Sequence, residues 1–215
     1  TIAVASPSFS KNEILRQEIE SLGLLIKYNQ KKSVFDNEEL IDFLQDAEIA
    51  IIGTETINQA ILSKCPKLRF IGKYGVGLNN IDFEALKHAN INLGWTAGVN
   101  KRCVAEITLG FMLSLIHNMY QNSIALNNGQ WIKNGGFQLS EKTIGIIGVG
   151  HIGKDLINLL KPFNCNLLVN DIIDQREYYN LHNLIETNKE TIYKEADIIT
   201  IHTPLTDKTY NMIDT

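Results

Sequence analysis

Short apolar, β-branched runs alternate with stretches of helical period along the first hundred or so residues. Ile2 to Ala5, Leu24 to Tyr28, Ile49 to Gly53, Leu68 to Lys73 and Ile91 to Leu93 read as strands. Lys11 to Leu22, Asn37 to Gln45, Asn58 to Lys64 and Asp82 to His88 read as the helices between them. Strands that alternate with helices imply parallel βαβ units, so this part is expected to be a small doubly wound α/β domain of about five strands. Gly23 stands where a helix C-cap glycine belongs, and Pro66 breaks the chain before the fourth strand.

The segment Gly94 to Asn100 has no periodicity, which places a domain boundary after Ala97 and predicts domains at 1–97 and 98–215. Val104, Ile107, Thr108, Phe111, Met112, Leu115, Ile116 and Met119 then recur at helical spacing, predicting one long helix from about Cys103 to Ser123. Leu109 and Leu113 widen its apolar stripe. Burial on two sides, between domains or at a subunit interface, is therefore expected, beside the plainer reading of a helix that covers a sheet. Turn-rich stretches at Asn127 to Gln130 and Asn134 to Gly136 flank Trp131. A strand from Thr143, a helix from Ile152 to Phe163 and a strand from Asn166 to Asn170 follow. The polar region Ile172 to Glu190 reads as loop with one short helix near Leu181 to Glu186, and Ala196 to Ile201 as a further buried strand.

Composition narrows the function classes. The chain has 215 residues, 44% hydrophobic and 20% charged, with a net charge of −4, the profile of an ordinary soluble globular protein. Its 20 lysines and arginines are scattered, so the basic patch that tracks nucleic-acid phosphates is not expected. Cys65, Cys103 and Cys165 fit neither a disulfide framework nor a zinc cluster, which suggests a reducing cytoplasm. No apolar run reaches the ~18 residues needed to span a bilayer, so no membrane partner is expected. The start at Thr1 without Met suggests a trimmed or processed end.

The candidate chemistry lies where the strand from Thr143 runs into Gly148-Val149-Gly150-His151-Ile152-Gly153. Gly148, Gly150 and Gly153 have the G-x-G-x-x-G spacing: the first for a tight turn, the second for backbone approach to a pyrophosphate, the third for close packing of helix on strand. Alone, such a triplet can mark an ordinary turn. Asp171, 18 residues past Gly153, stands where a carboxylate accepts hydrogen bonds from the adenosine ribose. It favours NAD, because a 2′-phosphate would meet its charge; Arg176, five residues on, leaves NADP open. His202 to Thr206 follows the last strand and so falls on the same sheet edge. Of the five histidines, His88 and His182 read as solvated, His117 as structural, and His151 and His202 as cofactor neighbours.

Four stretches together resemble the NAD-dependent D-isomer-specific 2-hydroxyacid dehydrogenases: Gly72 to Asp82, Val99 to Glu106, Gly148 to Gly153, and His202 to Thr206. That family includes D-3-phosphoglycerate, D-lactate and formate dehydrogenases and a transcriptional corepressor relative. The resemblance implies an α/β protein of two doubly wound parallel-sheet domains: a flavodoxin-like substrate domain and a Rossmann NAD-binding domain incomplete at its C-terminus. It implies that Val76 and Gly77 present backbone amides to a substrate carboxylate, with Val76 also near the nicotinamide. The same loop can equally be a tight turn served by Gly75 and Gly77. Lys73 stands where phosphoglycerate-type members carry Arg and would meet a second anionic group; an exposed lysine without a role is the alternative. Asn100 matches a substrate-contacting Asn, or else caps the following helix. His151 and Ile152 fall on the pyrophosphate and adjoining ribose, and His202, Thr203 and Pro204 beside the cofactor.

The implied function is interconversion of a small D-2-hydroxy acid and its 2-keto acid by hydride transfer with NAD, in a homodimer. The alternative is a non-catalytic regulatory or scaffolding relative that binds NAD. Hydride transfer needs an acid near the carbonyl oxygen and a polarising cation. The family supplies Arg, Glu and His for these, all expected beyond Thr215. The chain is thus expected to be C-terminally truncated, with no catalytic residue of its own.

Overall fold

A computed structural model describes residues 1–31, 33–133 and 135–213. The chain folds as two compact units, Thr1–Val99 and Asn100–Thr215.

The first unit carries strands β1 (Ile2–Val4), β2 (Ile26–Tyr28), β3 (Ile49–Ile52), β4 (Phe70–Lys73) and β5 (Asn92–Gly94). They form one parallel sheet in the order β2-β1-β3-β4-β5, the doubly wound order of flavodoxin-like domains. Helices α1 (Pro7–Lys11) and α2 (Glu13–Glu20) lie on one face, where Phe9 and Ile19 pack on Ile2, Val4, Ile49 and Ile51. Helices α3 (Asn37–Leu44), α4 (Gln59–Leu62) and α5 (Phe83–His88) cover the other, through Leu40, Leu44, Ile61 and Leu86 on Ala3, Ala50, Ile52 and Ile71. Parallel strands covered on both faces are largely apolar, which is why the central strands β1 and β3 read as continuous apolar runs.

In the second unit, helices α6 (Lys101–Ile116) and α7 (Met119–Asn127) lead to β6 (Thr143–Ile147), α8 (His151–Leu160), β7 (Asn166–Asn170), α9 (Arg176–Leu181), β8 (Ile185–Glu186), α10 (Lys189–Glu195) and β9 (Ile198–Ile201). The sheet is parallel in the order β8-β7-β6-β9. Numbered within the unit this is 3-2-1-4, the first part of the Rossmann order, and it reverses direction between β6 and β9. Ala105, Met112, Leu156 and Leu160 of α6 and α8 bury Ile144 and Ile146 on one face. Ile192 of α10 buries Ile147 and Leu168 on the other. Gly145 makes that second contact possible: a Cβ there would overlap Ile192 Cγ2.

Several expected elements differ. The helix expected over Lys11 to Leu22 is α2, starting at Glu13, and a separate short helix, α1, precedes it. Ser6 caps α1, with Pro7 in its first turn, and Asn12 adopts extended backbone (φ −86°, ψ 108°), its side chain accepting from Leu15 N–H to cap α2. The single long helix expected over Cys103 to Ser123 is broken into α6 and α7, bent by 68°. Asn118 is the break, held left-handed at φ 50°. One side of α6 packs on α8, while Ile107, Phe111 and Leu115 are exposed in the single chain. The helix expected near Leu181 to Glu186 is instead the end of α9 followed by the edge strand β8, and α10 begins at the end of the region read as loop and fills residues 191–195, to which no element is assigned above. Asn134, at the turn beside Gly135, lies outside the described residues.

Among the described residues no single helix is long and apolar enough to cross a membrane, and no group of three or more His, Cys, Asp or Glu could hold a metal ion. The tight seat of Gly145 yields a test. Gly145→Ala should cost the second unit about 1 to 3 kcal/mol by overpacking against Ile192, seen as an earlier urea transition; an unchanged transition would contradict this packing.

Candidate functional site

The three glycines after β6 have distinct surroundings. Gly148 is left-handed at φ +94°, and a Cβ there would lie 2.6 Å from the carbonyl oxygen of His202 and 2.8 Å from its carbonyl carbon. The backbone at the end of β9 therefore crosses directly over the turn at the end of β6. A Cβ at Gly153 would overlap the Gly148 carbonyl, so α8 presses onto the same turn. At Gly150 nothing lies within 4 Å of a Cβ position. Gly150 is also the N-cap of α8 and makes no side-chain cap bond, so the first-turn N–H groups of α8 have no capping partner. Tight turn, open approach and close packing thus fall on the first, second and third glycine, and a pyrophosphate fits the open one at a helix N-terminus.

Asp171 follows β7 and faces the turn. Its carboxylate accepts from Val149 N–H at 2.7 Å and from Ile173 N–H at 2.9 Å, while Gln175 Nε2 donates to the Val149 carbonyl at 3.0 Å. Asp171 therefore fixes the glycine turn from the side opposite His202, with carboxylate lone pairs still available to ribose hydroxyls. His202 is half-buried with Nε2 3.0 Å from Thr200 Oγ1, and burial pushes its pKa down, which favours the neutral ring. Thr203 is half-buried and Pro204 exposed on the same loop. His151 opens α8 exposed, and Ile152 is half-buried beside it. These residues gather at the C-terminal ends of β6, β7 and β9, at the reversal in strand order where doubly wound sheets bind ligands.

Asn100 precedes α6, but its side chain makes no cap bond, so the capping alternative is set aside. Its Oδ1 is shielded from solvent and has no hydrogen-bond partner among the described residues. Arg102, quoted above only as part of a motif, has a defined partner. Its Nη2 and Nε lie 3.1 Å from the two carboxylate oxygens of Asp155, which is 8% exposed on α8. Nη2 donates a hydrogen bond to Oδ1, and with the ion pair it ties the start of α6 to the glycine-loop helix.

In the first unit the loop after β4 holds the remaining predicted residues. Gly75 is left-handed at φ +121° and Trp95 Nε1 donates to the Val76 carbonyl at 3.2 Å. Val76 is half-buried and Gly77 exposed. Lys73 is not an idle exposed side chain: half-buried, it donates to the Gly53 carbonyl at 2.5 Å, and its Nζ lies 3.5 Å from where a Gly75 Cβ would be. Burial lowers its pKa, opposed by the charge of Glu55. Glu55 is 1% exposed, accepts from Gly53 N–H at 2.5 Å and leaves Oε1 unpartnered. Asn80 Nδ2 donates to the Glu55 carbonyl at 2.6 Å. Lys73 is thus anchored beside the glycine loop with its ammonium close to Gly75.

A doubly wound nucleotide unit with a glycine turn at its switch point is a dinucleotide-binding domain. Residues 109–215 match the family described as D-isomer specific 2-hydroxyacid dehydrogenase, NAD binding domain. The chain is 34% identical over 181 residues to D-3-phosphoglycerate dehydrogenase of Methanocaldococcus jannaschii, covering 82% of this chain and 34% of that protein. It is 30% identical over 185 residues to glyoxylate reductase of Thermofilum pendens, covering 82% of this chain and 55% of that one. Among solved structures, the NAD+-bound 3-phosphoglycerate dehydrogenase of Entamoeba histolytica superposes with a TM-score of 0.76 at 25% identity, over 97% of this chain and 64% of that one. The chain belongs to the D-isomer-specific 2-hydroxyacid dehydrogenase family, and its second unit is an NAD-binding domain. It spans about a third to two thirds of the length of these relatives.

The contrast between glycines is testable. Gly150→Ala should keep the parent's unfolding midpoint yet weaken NAD at least tenfold, about 1.4 kcal/mol, because its Cβ would occupy cofactor space alone. Gly153→Ala should lower both, measured by thermal unfolding and calorimetric titration. Equal NAD affinity in the parent and Gly150→Ala would rule out that approach.

Proposed function

We propose that the protein containing this chain interconverts a D-2-hydroxy acid and its 2-keto acid by hydride transfer with NAD. The observation that carries the reading is the pairing of a dinucleotide turn, Gly148 to Gly153, with a separate glycine loop at Lys73 to Gly77. In this reading residues 1–97 form the substrate domain and 98–215 the NAD-binding domain. NAD, when bound, accepts or donates the hydride.

The chain's own residues bind and orient. Backbone amides of Val76 and Gly77 receive the substrate carboxylate, the Lys73 ammonium adds charge for an anionic substrate, and Asn100 offers its unpartnered amide oxygen. Gly148, Gly150, His151, Ile152 and Gly153 hold the pyrophosphate and adjoining ribose. Asp171 takes the adenosine ribose, with His202, Thr203 and Pro204 lining the cofactor beside it. No residue here is assigned as the acid or the polarising cation; the family resemblance implies an Arg, a Glu and a His for these roles, none of them matched to a residue of this chain. The named relatives are a dehydrogenase and a reductase, which supports an enzyme over a non-catalytic regulator.

A homodimer in the cytoplasm completes the proposal. Phe111 and Leu115 are 64% and 72% exposed along α6, and Tyr120 and Ile124 continue an apolar surface on α7. Patches of this kind mark protein interfaces. Phe111→Asp with Leu115→Asp should halve the mass measured by light scattering; an unchanged mass would remove α6 from the interface. For the activity, the whole protein is to be assayed for NADH oxidation with glyoxylate, pyruvate, hydroxypyruvate and its phosphorylated form. Turnover with at least one is expected, and Lys73→Ala should lower kcat/KM about tenfold or more. No turnover with any would overturn the reading.

A further inference from the structure

Past Asp171 the chain builds an open cleft of about 420 Å³ lined by Asp171, Ile172, Ile173, Asp174, Arg176 and Glu186. Three carboxylates and one guanidinium rim it, and the guanidinium is already engaged. Arg176 Nε lies 3.0 Å from both Asp174 oxygens, Nη2 lies 2.5 Å from Oδ2, and the Arg176 backbone N–H donates to Oδ1 at 3.1 Å. The other nearby cation, Lys154, rests its Nζ 4.7 Å from the centre of the Tyr178 ring.

The position of Arg176 matters because it stands beside the ribose carboxylate. A 2′-phosphate on the adenosine ribose brings about two negative charges at neutral pH, and it needs a cation that can fork onto it. Arg176 is the side chain of the right kind in the cleft lining, yet its Nε and one Nη are committed to a neighbour two residues away. We infer that Asp174 is a specificity-determining residue: by holding Arg176 and adding its own charge, it keeps the adenosine site closed to the 2′-phosphate of NADP. The inference rests on the reading of Gly148 to Asp171 as the NAD site. Hydrogen bonds from Arg176 hold the Asp174 carboxyl down at about 2, so the pair stays charged across the working range of pH. An exposed ion pair contributes little to folding. Asp174 is therefore replaceable without loss of structure, and its effect should appear in ligand choice.

The test uses this chain with two probes, adenosine 5′-monophosphate and adenosine 2′,5′-bisphosphate, titrated calorimetrically at low salt. The parent should prefer the monophosphate. Asp174→Asn keeps an acceptor for the Arg176 backbone N–H but removes the charge; it should tighten the bisphosphate about fivefold to tenfold and leave the monophosphate within twofold. Adding Arg176→Ala to Asp174→Asn should abolish most of that gain, while Arg176→Ala alone should leave both probes within twofold. Weakening of the bisphosphate by Arg176→Ala alone would show the guanidinium already serving the phosphate and would overturn the inference. So would Asp174→Asn with no gain. Absence of monophosphate binding to the parent would instead overturn the nucleotide site itself, and the inference with it.

Discussion

The second unit depends on a crossing of two backbones with no side chain between them. β6 and β9 are neighbours in the sheet, and the loop leaving β9 passes over the turn leaving β6 at a distance that a single Cβ on Gly148 would block. Glycine at a left-handed position costs conformational entropy on folding. Here that cost holds the ends of two strands together at the point where the sheet order reverses. Asp171 and Gln175 grip Val149 from the third strand, and Gly153 brings α8 down onto the same turn. The open space at Gly150 is the consequence: everything around the turn is closed except the side from which a pyrophosphate would arrive.

The first unit builds its loop from side chains instead. Gly53 is the centre, donating to Glu55 and accepting from Lys73 and Asn80. The buried Glu55 carboxylate accepts from the Gly53 N–H and the half-buried Lys73 ammonium donates to its carbonyl, so one residue anchors both groups beside the loop. Arg102 and Asp155 do similar work in the second unit, tying α6 to the helix that begins at the glycine turn.

The alternation of strand and helix was legible in the sequence because parallel strands buried on both faces are largely apolar, as Ile2–Val4 and Thr143–Ile147 show. The glycine turn and Asp171 were legible because their spacing is dictated by one βαβ unit. What escaped notice was set by single polar residues inside periodic runs. Asn12 ends one short helix and caps the next where the expected helix begins, and Asn118 turns left-handed where the apolar pattern continues unbroken. β8 has two exposed residues and no pattern to display. Arg102 with Asp155, and Glu55 with Gly53 and Lys73, join side chains through folding or through a tight local turn, so neither spacing nor composition reveals them.

The central claim is that dinucleotide binding occurs on the backbone of the turn between β6 and α8. An amide-resolved NMR titration of this chain with NAD tests it most directly. The largest shifts are expected at Gly150, His151 and Ile152, with smaller ones at Asp171 and Thr203. Saturable NAD binding that leaves those amides unmoved would contradict it.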